Sequence, residues 1–551
     1  MWLWLTVTTH THNNLETSQE PLGLLKPVSR ASYQTRYGAE GDEPHGCMEG
    51  TRVHILAELE AWARDDIGSK VYWLHGLLGT GKTSIADTFC KRLKAQEKLG
   101  ASFFCSRSAL NDVTHIIPTI SNMLAQSNST FRSAILKVFS STPDVADFNS
   151  MSEQFSFLIM NPIKLTMDDE TKSLIIVIDA IDECSAPAKV EMLIKTVLEG
   201  VADIPLKFFI TSRPEPHILK AFRGQSSPST IEAFTEISLQ EATQDDVRTD
   251  IRTYLKTSLS GIAAKDPFSR KLPDWPSPQE FSILFDLSAE LFIYAATAVR
   301  YIGETGEDYR DRLTDITHFA SGHTPPPHTQ VIDLFYKHIV DRAFSRAVGR
   351  GRLNRTNVLA TVVCLQKPLS VDGIASLLKL ETRDVQVALS TFQSVIHAPD
   401  IGHVNIFHAS FREFIGDQER CPDNCVDYTG HQMLTIKCLQ VLNSSLRRNI
   451  CDLPEERIGS LPHEVTNLSV ISEALRYSCL YWASHLLEAL TGPREDAVPS
   501  MMLDQLNTFG DEHLLHWFEC LSALGELESG VKSLRKAKEA ISVSTPCAQG
   551  I

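Results

Sequence analysis

The sequence predicts an α/β domain with a parallel sheet, followed by a largely helical C-terminal half. Five consecutive aliphatic residues, Leu174 to Ile178, indicate a strand buried on both faces, as the strands of covered parallel sheets are. Up to about residue 240, such short apolar segments alternate with segments of helical periodicity, and beyond it the strand pattern largely stops. Dividing 551 residues by about 150 per domain gives three to four units.

The first half provides the predicted elements in alternating order. Val53, Leu56, Leu59 and Trp62 recur at helical spacing, which predicts a helix before the first strand. Strands are predicted at 71–74, 101–105, 174–178, 207–211 and 236–239, and further helices after residue 82, over 116–124 and from Pro187. This order predicts a sheet with helices on both faces.

The second half is predicted to be helical. Apolar residues from Leu284 to Ile302 line one face of a single long helix. Between residues 353 and 415, three helical segments precede the strand-like stretch 403–407, which is the order of a winged helix. The predicted organisation is an irregular segment 1–46, an α/β domain 47–240, a helical domain 241–322, a winged helix 331–420 and a C-terminal helical region 428–551.

Composition and charge narrow the classes of function. Hydrophobic residues make up 43% and charged residues 22% of the chain, as in ordinary globular proteins. The net charge of −16 disfavours binding to nucleic acid or to an anionic membrane surface. No apolar run approaches the roughly 20 residues of a spanning helix. The twelve cysteines are scattered, as in reduced proteins. We therefore expect a soluble, cytoplasmic protein without a membrane span or a nucleic-acid partner.

A phosphate-binding loop is predicted between the first strand and the next helix. The segment from Gly76 to Thr83 matches G-x-x-x-x-G-K-[ST] at every position. Glycines let backbone N–H groups converge on phosphates, and the start of the following helix directs its positive end at the same anion. The Lys82 ammonium can bind the outer phosphates, and the Thr83 hydroxyl can ligate Mg²⁺. The predicted phosphate-binding residues are Gly76, Gly79, Thr80, Gly81, Lys82, Thr83 and Ser84.

Acidic residues follow the buried strand 174–178. Asp179 is placed at the carboxyl edge of the sheet, where it can hold Mg²⁺ through water. Asp182 and Glu183 can orient and deprotonate an attacking water, although a surface acidic pair is also common. Arg213 ends the next strand at the same edge and can sense a γ-phosphate, or it can be an ordinary solvated arginine.

These motifs together resemble the NACHT class of STAND NTPases, and most closely a fungal group described as nephrocystin-like. The resemblance rests on Tyr72 to Gly76 leading into the phosphate loop, Ile178 to Cys184, and Ile210 to Glu215. Three further segments fit the same group and extend the likeness over about residues 47–530: Cys47-x-x-Gly50-Thr51-Arg52, Leu291 to Ala298, and Phe407 to Phe414.

The resemblance implies a regulated switch in defence or self/non-self signalling, with ATP, ADP and Mg²⁺ as ligands and slow hydrolysis. In similar proteins a P-loop domain, a helical domain and a winged helix close around ADP, and exchange for ATP drives self-assembly. His408 matches the winged-helix histidine that contacts the ADP phosphates. Ala180 stands where many members have glycine, a mild departure. Neither an effector before the module nor repeats after it are recognised. The expectation is therefore a minimal member of the group, a truncated gene product, or an adaptor that works with a separate effector chain.

Other interpretations remain open at this stage. The chain could be a nucleotide-binding scaffold or adaptor without significant hydrolysis. A motor or kinase is a third reading, for which no second substrate pocket is recognised. The winged helix raises DNA binding, which the acidic charge disfavours. Cys421, Cys425, His431 and Cys438 invite a zinc site, but their spacing departs from common zinc frameworks, so we favour buried thiols.

Overall fold

A computed structural model provides the structure of the chain. It describes a few positions between 22 and 34 and then the following ranges: 46–106, 112–141, 150–166, 173–202, 204–224, 234–239, 244–266, 275–288, 290–304, 306–321, 328–345, 347–452, 468–490 and 499–544. Within these ranges, no helix is both long enough and apolar enough to cross a membrane. Pro325, Pro326 and Pro327, between the predicted helical domain and the predicted winged helix, lie outside the described residues, as does most of the irregular segment 1–46.

The chain divides into two compact units, the first ending at Val247 and the second beginning at Arg248. The first unit contains a five-stranded parallel sheet in the order β2-β3-β4-β1-β5. Its strands are β1 (Val71–His75), β2 (Leu99–Phe104), β3 (Leu174–Asp179), β4 (Leu206–Ser212) and β5 (Phe234–Ser238). The parallel sheet predicted from the sequence is thereby confirmed.

Helices cover both faces of this sheet. Successive strand residues point to opposite faces, so each strand contributes side chains to two separate cores. Trp73 and Ile178 belong to one apolar core, whereas their neighbours Tyr72 and Val177 belong to another. The helices that precede or connect the strands are α1 (Val53–Arg64), α2 (Lys82–Ala95), α3 (Ile116–Ser127), α4 (Ser129–Ser141), α5 (Met151–Phe155), α6 (Asn161–Lys164), α7 (Pro187–Gly200) and α8 (Pro216–Arg223). The two cores explain the uninterrupted aliphatic run of β3, since both of its faces are buried.

The described part of the second unit is mostly helical. Its helices are α9 (Gln244–Ala264, which begins just before the boundary), α10 (Pro278–Leu287), α11 (Phe292–Ile302), α12 (Tyr309–Ser321), α13 (His328–Ser345), α14 (Gly349–Cys364), α15 (Val371–Leu378), α16 (Thr382–Leu389), α17 (Ala409–Ile415), α18 (Tyr428–Ser445), α19 (Glu473–Leu490), α20 (Ser500–Thr508), α21 (Leu514–Leu524) and α22 (Leu527–Ser544). Two short antiparallel strands, β6 (Ile396–His397) and β7 (Asn405–Ile406), follow α16. The three helices α14, α15 and α16 thus precede a small hairpin.

The prediction of a single long helix through residues 284–302 is wrong. The segment forms two helices, α10 and α11, and Leu291 is extended at the start of the second. The Ser288 hydroxyl donates to the carbonyl of Phe285 at 2.6 Å, and Glu290 has a left-handed φ of 64°. Such a residue ends helical hydrogen bonding, while the apolar spacing on either side stays compatible with one helix face. Periodicity alone could not reveal the break.

Candidate functional site

The glycine-rich segment forms the turn between β1 and α2. Gly79 and Gly81 adopt positive φ angles of 79° and 90°, which side chains disfavour and which let the loop curl in front of α2. A Cβ on Gly76 would lie 3.1 Å from Leu239 Cβ, so the start of the loop packs closely against Leu239. The loop therefore presents its backbone at the N-terminus of α2, the arrangement that binds phosphate oxygens.

The Lys82 side chain folds back over this loop. Its Nζ donates to the carbonyl of Gly76 at 2.8 Å and to that of Leu77 at 2.9 Å. Burial lowers the pKa of Lys82 to about 8, against the opposing effects of Asp182, Asp179 and Glu183. A partly buried ammonium that is near carboxylates and bonded to backbone carbonyls can exchange those carbonyls for phosphate oxygens.

Asp179 ends β3 and is held by the neighbouring strand. The Thr211 hydroxyl at the end of β4 donates to Asp179 Oδ1 at 2.6 Å and accepts from the Ala180 N–H at 2.9 Å. Asp179 is fully buried, and Ala180 takes the left-handed conformation with a φ of 57°. Thr211 thus fixes both the carboxylate and the backbone turn that follows it.

Asp182 and Arg213 form an ion pair between the turn after β3 and the end of β4. The Arg213 Nε lies 3.2 Å from Asp182 Oδ2, and the Arg213 N–H donates to Asp182 Oδ1 at 3.0 Å. Only 3% of the Asp182 side chain and 16% of the Arg213 side chain are exposed. Both Asp182 oxygens therefore bind Arg213, one through the guanidinium and one through the backbone N–H.

The structure brings most of the predicted site residues together. The charges of Asp179, Asp182, Glu183 and Arg213 all act on the Lys82 ammonium, so strands β3 and β4 and helix α2 deliver them to one edge of the sheet. Thr83 and Ser84 lie in the first turn of α2, beside that edge. Parallel strands produce this convergence because their carboxyl ends share an edge.

His408 lies in the second unit, at the N-terminus of α17. Its Nδ1 accepts from the Ser410 N–H at 3.2 Å, and the Ser410 hydroxyl lies 2.7 Å from that nitrogen. Ser410 also bonds to the Tyr336 hydroxyl at 2.7 Å. The histidine ring is therefore oriented by local contacts, and its contact with a phosphate stays a prediction.

Two residues that position parts of the site were not given a role from the sequence. One is Thr211, and the other is Arg52, whose guanidinium donates to the carbonyl of Thr80 in the glycine-rich loop at 2.7 Å. Arg52 is buried and adopts a φ of 57° at the start of α1. The motif Gly50-Thr51-Arg52 was the available signal, but contact with a loop 28 residues away could not be read from it.

The donor set fits magnesium rather than a softer metal. Mg²⁺ prefers oxygen and is commonly held by one or two protein oxygens together with substrate phosphates. The Thr83 hydroxyl and the Asp179 carboxylate are such oxygens, and they lie in the first turn of α2 and at the end of β3. Among the residues that the structure describes, no group of three or more His, Cys, Asp or Glu side chains could hold a metal by itself.

The sheet topology, the glycine-rich turn and the acidic strand end define the P-loop NTPase class of fold. Residues 50–213 match the family model described as Nephrocystin 3, N-terminal. The chain is 21% identical over 533 residues to the vegetative incompatibility protein HET-E-1 of Podospora anserina, covering 89% of this chain and 36% of that protein. These two findings confirm the resemblance to NACHT-like STAND NTPases. The chain spans about a third of that relative's length.

Solved structures give weaker likenesses. A signal transduction ATPase with numerous domains and a tetratricopeptide repeat sensor, from Pyrococcus horikoshii, is 15% identical with a TM-score of 0.40, covering 92% of this chain and 66% of that one. A Walker-type ATPase of Pyrococcus abyssi is 13% identical with a TM-score of 0.33, covering 68% of this chain and 98% of that one.

Proposed function

We propose that this chain is a nucleotide-dependent signalling switch that binds ATP and ADP with Mg²⁺ and hydrolyses ATP slowly. The observation that carries the proposal is the partly buried Lys82 ammonium, which donates to the loop carbonyls of Gly76 and Leu77 and is flanked by Asp179, Asp182 and Glu183. A phosphate chain would take the place of those carbonyls at the start of α2.

Each residue has a distinct part in this proposal. The backbone around Gly76, Gly79 and Gly81 cradles the phosphates, and Lys82 binds the outer ones. Bound Mg²⁺ would neutralise phosphate charge and be held by Thr83 and Asp179, with Thr80 and Ser84 lining the loop. Glu183 orients and deprotonates the attacking water.

Two further residues support the phosphates from the side. Arg213 senses the γ-phosphate, and its pairing with Asp182 supports this role because the pair ties the guanidinium to the turn that carries Glu183. His408 contacts the ADP phosphates in a closed state. Its ring orientation, set by Ser410, is compatible with donation from Nε2 to a phosphate oxygen.

The regulatory part of the proposal concerns the whole chain. We assign residues 47–240 to the P-loop domain, 241–322 to a helical domain, 331–420 to a winged helix and 428–551 to a C-terminal helical region. Exchange of ADP for ATP would open the module and permit self-association in the cytoplasm, with a separate effector chain as partner. The similarity to a fungal protein of vegetative incompatibility supports a role in self/non-self recognition.

Retention of nucleotide by the purified protein tests this proposal. We expect adenine nucleotide to be released on denaturation of the wild-type protein, and Lys82→Ala to lower the retained amount roughly tenfold or more, because it removes a charged phosphate ligand. Lys94→Ala is the matched control, since Lys94 lies exposed at the other end of the same helix. Equal retention by the Lys82 and Lys94 variants would refute the proposal.

A further inference from the structure

Two cysteines meet beside the acidic turn, and the proposed function uses neither of them. Cys105 follows β2 and Cys184 follows Glu183, and their sulfur atoms lie 3.1 Å apart although the residues are 79 positions apart in the chain. Cys105 is fully buried, and Cys184 is 8% exposed. The exposed residues 185–189 follow Cys184 directly, so the chain reaches solvent one residue after this cysteine.

The cysteine pair is connected to the nucleotide site through the backbone. The Cys105 N–H donates to the carbonyl of Asp179 at 3.0 Å, and the Cys184 N–H donates to that of Ile181 at 3.2 Å. The buried Cys105 is therefore hydrogen-bonded to the backbone of the residue that ends β3, and Cys184 ends the short turn that follows it.

We propose that Cys105 and Cys184 form a reversible disulfide that restrains the turn carrying Glu183 and so lowers ATP turnover under oxidising conditions. The bond itself requires only the observed contact. Its effect on turnover rests on the proposed function. Hydrogen peroxide is the oxidant that we consider, because it is small enough to reach a nearly buried thiol.

The chemistry balances in two steps. The Cys184 thiolate attacks one peroxide oxygen and breaks the O–O bond, giving a sulfenic acid and a hydroxide that takes up the thiol proton as water. The Cys105 sulfur then attacks the sulfenic sulfur. The S–S bond forms as the S–O bond breaks, and the departing hydroxide leaves with the Cys105 proton as a second water. Two thiols lose two electrons, and one peroxide gains them.

We expect bond formation to move the turn. A disulfide is about 2.05 Å long, so sulfur atoms now 3.1 Å apart must approach by about 1 Å. Cys105 is anchored to Asp179 by its N–H, whereas Cys184 belongs to a short turn, so the turn carries most of the movement. Glu183 is its covalent neighbour and is displaced with it. Lys82 lies on α2, so nucleotide retention should persist.

A second cysteine pair supplies an internal control. Cys479 on α19 and Cys520 on α21 lie 3.7 Å apart, and both are fully buried within helices. No exposed turn adjoins either residue, and helical backbones resist the approach that a disulfide requires. We expect this pair to stay reduced under conditions that oxidise Cys105 and Cys184.

The first measurement maps disulfides in the full chain after peroxide treatment, by alkylation of free thiols and mass spectrometry of peptides. We expect a linked peptide joining Cys105 to Cys184, which dithiothreitol removes and which Cys184→Ser and Cys105→Ala each abolish. Cys479→Ser should not affect it. If both thiols remain alkylatable while the partly exposed Cys47 and Cys425 are oxidised, the proposal is overturned.

The second measurement reads the restraint on the turn. Oxidation should slow amide hydrogen exchange over residues 180–185 and lower ATP turnover by at least roughly tenfold, since a displacement of about 1 Å can cost up to a hundredfold. Both changes should be absent in Cys184→Ser. A linked peptide with unchanged exchange and turnover would overturn the regulatory claim. Loss of nucleotide retention in the reduced wild type would instead refute the proposed function, leaving the disulfide to be judged by the peptide map and exchange.

Discussion

Buried polar groups are arranged differently in the two units. In the first unit, the Lys82 ammonium is hydrogen-bonded to main-chain carbonyls of a glycine-rich loop. In the second, His431 and His485 contact each other through their Nδ1 atoms at 2.9 Å, and His485 Nε2 lies 2.7 Å from the Tyr477 hydroxyl. The hydroxyl in turn accepts from the Gln366 N–H at 3.0 Å. We call these hydrogen-bonded side chains, His431, His485 and Tyr477, the histidine network. Its members are thus bonded to one another and to the protein backbone.

The comparison separates a binding site from a structural network. Carbonyls in a glycine-rich loop are weak partners for an ammonium, so a phosphate can replace them and gain charge-assisted hydrogen bonds. In the histidine network, the side chains hydrogen-bond to one another when the rings are neutral, and a ligand would have to break those bonds. We therefore expect changes in the first unit to alter nucleotide chemistry and changes in the second to alter stability.

The largest effect is expected for Glu183→Gln. The amide cannot accept a proton from water, so turnover should fall by roughly a thousandfold while nucleotide retention persists. Single-turnover hydrolysis, with bound nucleotide quantified in parallel, checks this. Unchanged turnover in the variant would remove Glu183 from the proposed mechanism. Absence of turnover in the wild type would favour a nucleotide-binding scaffold without hydrolysis.

Acidification should act mainly on the second unit. Burial, reinforced by Arg412, lowers the pKa of His431 to about 4, and burial lowers that of His485 as well. Unfolded histidine titrates near 6.5, so between pH 6.5 and 4 the unfolded chain binds more protons and stability falls as the pH falls. For His431 the loss is on the order of 3 kcal/mol.

The control for this pH effect is His431→Gln, which removes one titrating ring and retains a group that can bond to His485. Denaturant unfolding of wild type and variant, compared at pH 7 and pH 4.5, should show a smaller pH dependence for the variant. The transition to follow is that of the second unit, reported by its buried tryptophans Trp482 and Trp517. If wild type and variant showed the same pH dependence of stability, His431 would not be the group whose protonation destabilises the second unit.

Local sequence patterns predicted which residues lie together at the candidate phosphate site, but they did not predict the contacts between segments that are distant in the chain. The glycine-rich turn, Asp179 and Arg213 each follow a strand, and parallel strands bring such ends together. The bonds from Arg52 to Thr80 and from Thr211 to Asp179 depend on how α1 and β4 pack, which one sequence does not encode visibly. The break between α10 and α11 was missed for a related reason, since apolar spacing continues across it.

The smallest effect concerns Ala180, which has a φ of 57° immediately after Asp179. A left-handed alanine costs about 1 kcal/mol or more, and glycine relieves that strain while losing more chain entropy on folding. Ala180→Gly should therefore raise the stability of the first unit by less than about 1 kcal/mol. Ala186, with a φ of 64° on the exposed side of the same segment, provides the matched control Ala186→Gly.

The two glycine variants distinguish strain from site geometry. Both should change the free energy of unfolding by similar small amounts, because both relieve the same kind of backbone strain. Only Ala180→Gly should also change turnover, because the Ala180 N–H is held by Thr211 next to Asp179. Equal turnover in the two variants would show that the turn after β3 tolerates backbone freedom. Turnover would then depend less on the fixed backbone conformation of this turn than we propose.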